Sequence, residues 1–356
     1  MSGGDRRPVL VTGGAGFIGC NIADALAARG HDVLVYDALV RPGVEANLAW
    51  LRERHPRRIH AIIGDVRDEL LLADAAAGAK AVFHMAAQVA VTTSLIDPRE
   101  DFEINVCGTI NLLDALRTRN PGTPLIFAST NKVYGDLADI PLALEGDGYA
   151  PLDPAVRVHG ISEKQLLDFH TPYGCSKGAA DQYVLDHARS FGMPAAVMRM
   201  SCIYGQRQMG TEDQGWVAHF LIRALEGRPI TLYGDGHQLR DILDVSNAVE
   251  AYLAAWERID EVRGRAFNLG GGPENAVSLV RLLAYVEALI GREIDISFAP
   301  WRAGDQRYFV ADTRAAEAAL GLGPRLPWKV GVARLLRWLS DARGFDRSLL
   351  TAGAMT

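Results

Sequence analysis

Residues 8–37 read Pro8-Val-Leu-Val-Thr12, then Gly13-Gly-Ala-Gly16-Phe17-Ile18-Gly19, then Asn21 to Arg29, and finally Asp32-Val-Leu-Val-Tyr-Asp37. The outer segments are short apolar runs of the kind that form buried strands. Between them a glycine-rich turn opens a helix, with Ile18, Ile22 and Leu26 at helical spacing and Gly30 as the predicted C-cap. Strand, glycine loop, helix and strand in this order are the setting a dinucleotide phosphate site requires. Gly13 predicts the tight turn and Gly16 a close approach of backbone to a pyrophosphate at the helix N-terminus. Gly19 predicts close packing of helix on strand. Asp37, 21 residues after Gly16, is placed to accept both ribose hydroxyls of NAD and to repel the 2′-phosphate of NADP. Arg41 could serve NADP, but the carboxylate outweighs it, and NAD is the expected cofactor.

Outward from this unit, apolar runs recur at 59–65, 81–86, 124–130 and 195–200, with helical stretches between them. That alternation predicts parallel βαβ units, hence an α/β fold with a doubly wound parallel sheet of the Rossmann type. After residue 200 the pattern is mixed, with helices expected at 216–227, 278–291 and 330–340. The expected division is an NAD-binding domain at 1–200 and a smaller mixed α/β substrate domain at 201–345, some of whose segments return to the first. Residues 346–356 read as a tail and 1–7 as a disordered start. Ligands of such sheets bind at the carboxyl edge.

The 356 residues, 49% hydrophobic with 36 glycines, suit an α/β enzyme, and a net charge of −6 offers no face for nucleic acid. Cys20, Cys107, Cys175 and Cys202 are scattered without metal-type spacing, so no metal is expected and the thiols read as reduced. No signal peptide or long apolar span is visible, which predicts a cytoplasmic protein with no membrane contact.

Polar residues fall at the ends of the expected strands. Asp65-Val66 could receive an adenine amino group, and Ala86, Ala87 and Gln88 lie where a pyrophosphate and nicotinamide ribose would pass. Asn105, on a helix behind the sheet, is a cofactor contact or a bond to backbone. Ser129 and Thr130 end the fifth strand. Tyr173 and Lys177, in Thr171-Pro-Tyr-Gly-Cys-Ser-Lys177, share one helix face at i and i+4. A free phenol is a poor base near neutrality, but a nearby ammonium favours the phenolate and lowers its pKa. The pair then makes a proton acceptor for an alcohol.

Together these motifs resemble the extended short-chain dehydrogenase/reductase family, specifically its NAD-dependent nucleotide-sugar epimerases and dehydratases. The resemblance runs from the G-x-x-G-x-x-G loop through Asp37, Asp65-Val66, Thr130, Val133-Tyr-Gly135, Tyr173 and Lys177. It continues through Tyr204-Gly205, Tyr233-Gly-Asp-Gly236, Arg240-Asp241, Asn268-Leu-Gly270 and Arg302-x-Gly-Asp305. It implies that Tyr173 is the acid/base, that Lys177 binds the nicotinamide ribose and holds the phenol pKa down, and that Thr130 orients the reacting hydroxyl. Arg240 and Arg302 would grip the nucleotide diphosphate of a nucleotide-sugar substrate, because a guanidinium meets phosphate in bidentate fashion.

Three departures narrow the reaction. Family dehydratases carry an acidic pair after the threonine, whereas Asn131-Lys132 stands here, so elimination lacks its acid and base. The interval from Thr130 to Tyr173 is 43 positions, longer than in ordinary 4-epimerases, and contains Gly160-Ile-Ser-Glu163. Position 202, often asparagine in relatives, is cysteine. With Thr211-Glu-Asp-Gln-Gly-Trp216, these stretches resemble family members that invert C2 of a nucleotide-linked hexose. Gln88, Thr93, Asn131, Lys132 and Gln214 are candidates to line the sugar pocket, and Glu163 is a pocket or a capping carboxylate. Other readings are a 4-epimerase or reductase, and a non-catalytic NAD-binding regulator. The resemblance further implies a homodimer or homotetramer.

Overall fold

Seven strands form one sheet: β1 (Val9–Thr12), β2 (Val33–Asp37), β3 (Ile59–Ile63), β4 (Ala81–His84), β5 (Leu125–Thr130), β6 (Ala195–Met200) and β7 (Ala266–Leu269). Their spatial order is β7-β6-β5-β4-β1-β2-β3, and every pairing is parallel. The computed structural model describes residues 6–345, 350 and 351. Most of the predicted tail and disordered start therefore lies outside the described residues.

Side-chain alternation along each strand divides the core into two layers. Val9, Val11, Val33 and Val35 pack beneath helix α1 (Phe17–Ala28) and the helices Val44–Arg54 and Val245–Glu257. Leu10, Tyr36, Val82, Leu125 and Phe127 face the helices Glu69–Ala77, Gly108–Arg119 and Thr171–Phe191. Burial on both faces explains why the strands read as continuous apolar runs. Each such side chain contributes about 1.5–3 kcal/mol on leaving water.

The sheet order reverses between β1 and β4, and the chain leaves their carboxyl ends in opposite directions. That reversal opens the crevice. The runs predicted at 59–65 and 81–86 stop as strands at Ile63 and His84, and the remaining residues turn outward along the crevice.

A second core lies among the helices Trp216–Glu226, Leu279–Ile290 and Trp328–Arg343. Strands Ile230–Tyr233 and Ile296–Ala299 pair in parallel, and Leu239–Asp244 pairs with Cys202–Tyr204, Ala276–Ser278 and Tyr308–Phe309. Segments after residue 200 return to the first core: the helices Val245–Glu257, Ile259–Val262 and Arg314–Leu320, and β7, which pairs with β6 at the sheet edge. The long interval before Tyr173 folds as a hairpin, Leu142–Glu145 with Gly148–Pro151, followed by the helix Pro154–His159. Among the described residues no helix is long and apolar enough to cross a membrane.

Candidate active site

The glycine loop forms a cradle because its backbone leaves no space for side chains. Gly13 has φ +65°, and a Cβ there would come within 2.7 Å of Ala86 N. A Cβ on Gly19 would meet Gly13 O at 2.1 Å, so Gly19 lets the helix close on the turn itself rather than on the strand. Asp37 faces this loop: Oδ2 accepts from Ala15 N at 2.9 Å and Oδ1 from Leu39 N at 2.9 Å. Asp65 ends its run with Arg67 donating to both oxygens, a contact that holds its carboxyl below the usual range.

A cleft of about 390 Å³ runs along the carboxyl edge from this cradle. Gly13, Gly16, Phe17, Ile18, Gly19, Asp37, Arg41, Asp65 and Val66 line one end. Ala86, Ala87, Ser129, Thr130, Tyr173 and Lys177 line the other. The second lobe adds Cys202, Ile203, Arg207, Gln208, Met209, Gln214 and Trp216.

Thr130 is the last residue of β5 and lines the cleft with Tyr173; its Oγ1 accepts from Lys132 N at 3.2 Å and donates to Asn131 Oδ1 at 3.4 Å. Tyr173 is buried, and Ser94 Oγ accepts from its backbone N at 3.1 Å. Burial pushes the phenol up to about 12; the Thr130 contact opposes this and Asp101 adds to it. The i,i+4 spacing predicts an ammonium that lowers the phenol pKa, and here the structure differs. Lys177 Nζ lies over the Phe127 ring, 4.3 Å from its centroid, and burial holds the lysine down to about 8 against the carboxylates of Asp181 and Asp101. Desolvation outweighs the charge for both members of the pair.

Behind Thr130 a buried polar chain fixes the site. Ser129 Oγ donates to Asp181 Oδ2 at 2.7 Å, and Arg199 donates to both Asp181 oxygens at 2.9 Å. Arg199 also donates to Tyr134 Oη, which donates to Asn268 Oδ1. Glu163 completes the chain by accepting from Asn268 N at 2.7 Å, so it anchors β7.

Gln88, Thr93 and Asn105 do not line the cleft. The Gln88 amide curls onto Ala90 and Asp101, where the chain has left the strand and the alternation no longer sets its direction. Asn105 sits in a π-helical turn, Glu103–Cys107, and its side chain accepts from Gln88 N, donates to Gln88 O and reaches Ser176. That is the backbone-bonding role. Thr93 is exposed beside buried Ser94.

Asn131, Lys132, Arg240 and Arg302 also lie outside the cleft lining, and gather around residues 302–306. Asn131 Nδ2 donates to Gln306 Oε1, Lys132 Nζ to Gly304 O at 2.9 Å, and Arg240 to Gln306 O, with Asp305 at 3.6 Å. Arg302 pairs with Glu212 at 2.8 Å and stacks on Tyr233. Burial and Arg240 bring Lys132 down to about 8. Trp216, not named as a site residue from the sequence although it ends the stretch 211–216, donates from Nε1 to Cys202 Sγ at 3.4 Å in the cleft wall.

This geometry defines a nucleotide-binding enzyme with a phenol at the floor of its cleft. The chain belongs to the NAD dependent epimerase/dehydratase family, whose model matches residues 9–270. It is 40% identical over 340 residues to a CDP-paratose 2-epimerase of Salmonella typhi, covering 94% of this chain and 99% of that protein. It is 32% identical over 354 residues to a dTDP-glucose 4,6-dehydratase of Streptomyces griseus, covering 98% of each. The solved UDP-glucose 4-epimerase of Thermus thermophilus, in complex with NAD, superposes with a TM-score of 0.78 at 30% identity, covering 94% and 99% of the two chains. NAD is the cofactor: the cradle has no room for a Cβ at Gly13 or Gly19, and Asp37 stands beside it.

Proposed function

We propose that the protein inverts C2 of a nucleotide-linked hexose through a transient 2-keto sugar. The observation that carries the chemistry is the meeting of Thr130, the buried Tyr173 phenol and Lys177 in one cleft with the glycine cradle. Bound NAD supplies a hydride acceptor that later returns the hydride. Thr130 orients the sugar hydroxyl, and Tyr173 takes its proton as the carbon becomes a ketone. Lys177 binds the nicotinamide ribose. The sugar turns while its nucleotide stays held, and Tyr173 returns the proton to the oxygen on inversion.

Asn131 and Lys132 support epimerisation over dehydration, since the first is an amide and the second is engaged with Gly304. Arg240 and Arg302 hold the diphosphate, and Gln214 and Cys202 border the sugar. Residues 1–200 bind mainly NAD and 201–345 mainly the nucleotide sugar. The choice of C2 is supported by the 40% likeness to a 2-epimerase over nearly the full length of both chains. A cytoplasmic homodimer or homotetramer completes the reading.

The test is incubation with CDP-, UDP-, GDP- and TDP-linked hexoses, with the configuration at C2 and C4 read by NMR. Inversion at C2 is expected. A product inverted only at C4 would refute the proposal, and NAD binding without turnover of any sugar would favour a regulator.

A further inference from the structure

Residues 205–209 leave the second lobe and pass across the first. Asn21 Nδ2 donates to Gln206 O at 3.1 Å. Asn47 Nδ2 donates both to Ala15 O in the glycine loop, at 3.1 Å, and to Arg207 O, at 3.2 Å. Gly43 packs so tightly on Met209 that a Cβ there would lie 2.9 Å from its Cγ. Arg207, Gln208 and Met209 thus form a strap that borders the cleft beside Gly16, Asp37 and Arg41.

The Arg207 side chain goes elsewhere. Its backbone is left-handed, φ +72°, a conformation that a non-glycine residue holds only where its surroundings over-determine it. The guanidinium lies 3.8 Å from the centroid of the Trp50 ring and 5.5 Å from that of Trp338. The titratable groups beside it are the charged Asp24 and Arg54 and the buried, neutral thiol of Cys20. None of these five residues lines the cleft. Trp50 is on the helix Val44–Arg54 of the first lobe, and Trp338 on the helix Trp328–Arg343 of the second. One cation is therefore held on the outer surface between aromatic rings of both lobes, while its strap borders the cleft.

We propose that Arg207 is a rivet: its stacking between Trp50 and Trp338 fastens the 205–209 strap over the adenosine end of the cleft and limits how fast bound NAD is released. It is a positioning residue and takes no part in proton transfer. For NAD to leave, the strap must lift, and lifting draws the guanidinium out of a half-buried aromatic sandwich. Arginine suits this place because its flat guanidinium stacks on rings and is weakly hydrated.

The test needs no sugar substrate, so it stands or falls apart from the C2 reading. Protein loaded with NAD is mixed with excess isotopically labelled NAD, and the exchange rate is measured. Arg207→Ala is expected to exchange about ten-fold faster or more, the size of a partly desolvated cation–π contact. Trp50→Leu and Trp338→Leu are expected to accelerate exchange in the same direction. Trp338→Leu remains informative if Arg207→Ala does not fold, since it alters only the outer partner. Leu116→Ala, which removes a buried side chain on the opposite face of the sheet, controls for general destabilisation and is expected to exchange at the parental rate. Parental exchange in folded Arg207→Ala would overturn the proposal. So would acceleration shared by neither tryptophan variant, or equal acceleration in Leu116→Ala.

Discussion

Removing the negative charge of Asp181 should unfold the protein more than any single change at the cleft surface. Asp181 is 0% exposed and Arg199 5%, and the guanidinium meets both carboxylate oxygens. Asp181→Asn keeps the shape and leaves Arg199 as an uncompensated buried charge. Breaking one partner of such a pair costs about 3–5 kcal/mol. The unfolding entropy of a chain of 356 residues is ~0.75 kcal/mol/K, so the melting temperature should fall by about 4–7 °C. Arg199→Met alone should cost a comparable amount. The double variant should lose about 1–3 kcal/mol less than the singles added together, because no lone charge then remains. Urea denaturation of all four proteins gives the cycle. The argument fails if Asp181→Asn costs less than about 1 kcal/mol, or if the double variant loses the full sum. A functional signature accompanies the loss. Asp181 is the largest influence raising the Lys177 pKa against burial, so the variant's lysine should lose its proton at lower pH.

Tyr173→Phe should abolish sugar turnover while NAD still co-purifies, as read by NMR and by absorbance of the released cofactor; retained activity would refute the mechanism. Gly19→Ala should lose NAD, since its Cβ would stand 2.1 Å from Gly13 O, and calorimetric titration of NAD reads this directly. Activity should decline as pH rises through about 8, where Lys177 loses the proton with which it would hold the nicotinamide ribose, and an initial-rate profile from pH 6 to 10 tests it. Stability should move the other way over the same window. Lys132 and Lys177 titrate at about 8 when folded against 10.5 otherwise, so between pH 8 and 10 the folded protein binds fewer protons than the unfolded chain and their contribution to stability rises. From about pH 9 the buried thiols of Cys20 and Cys202, raised by burial, act in the opposite sense, and above pH 10 Tyr173, raised to about 12, joins them; the urea midpoint at pH 8.5 should therefore exceed that at pH 7.5.

The sheet was legible in the sequence because strands buried on both faces leave a dense local signal, and each predicted run coincides with an observed strand. The cradle was legible for a related reason: glycine spacing is a direct record of backbone crowding. Side-chain direction was not. Spacing places Tyr173 and Lys177 on one helix face but says nothing of the Phe127 ring that receives the ammonium, or of the desolvation that governs both groups. Gln88 and Thr93 lie outside the cleft lining: Gln88 follows the end of its strand and bonds Asp101, and Thr93 stands on the short helix Val91–Ile96. Arg207, Gln208 and Met209 reach the cleft from a segment with no periodic pattern, and only tertiary packing brings them there.

The pairing of β7 with β6 has a consequence for synthesis. The chain places Ala195–Met200 at the rim of the sheet, then builds most of another lobe before Ala266–Leu269 arrives to cover it. Throughout that interval a nascent chain emerging from the ribosome carries a bare, apolar strand edge, the kind of template on which unlike chains join. Fragments ending near residue 200 should therefore aggregate rather than fold. In the cell, the span between residues 200 and 269 is where a chaperone would have most to shield.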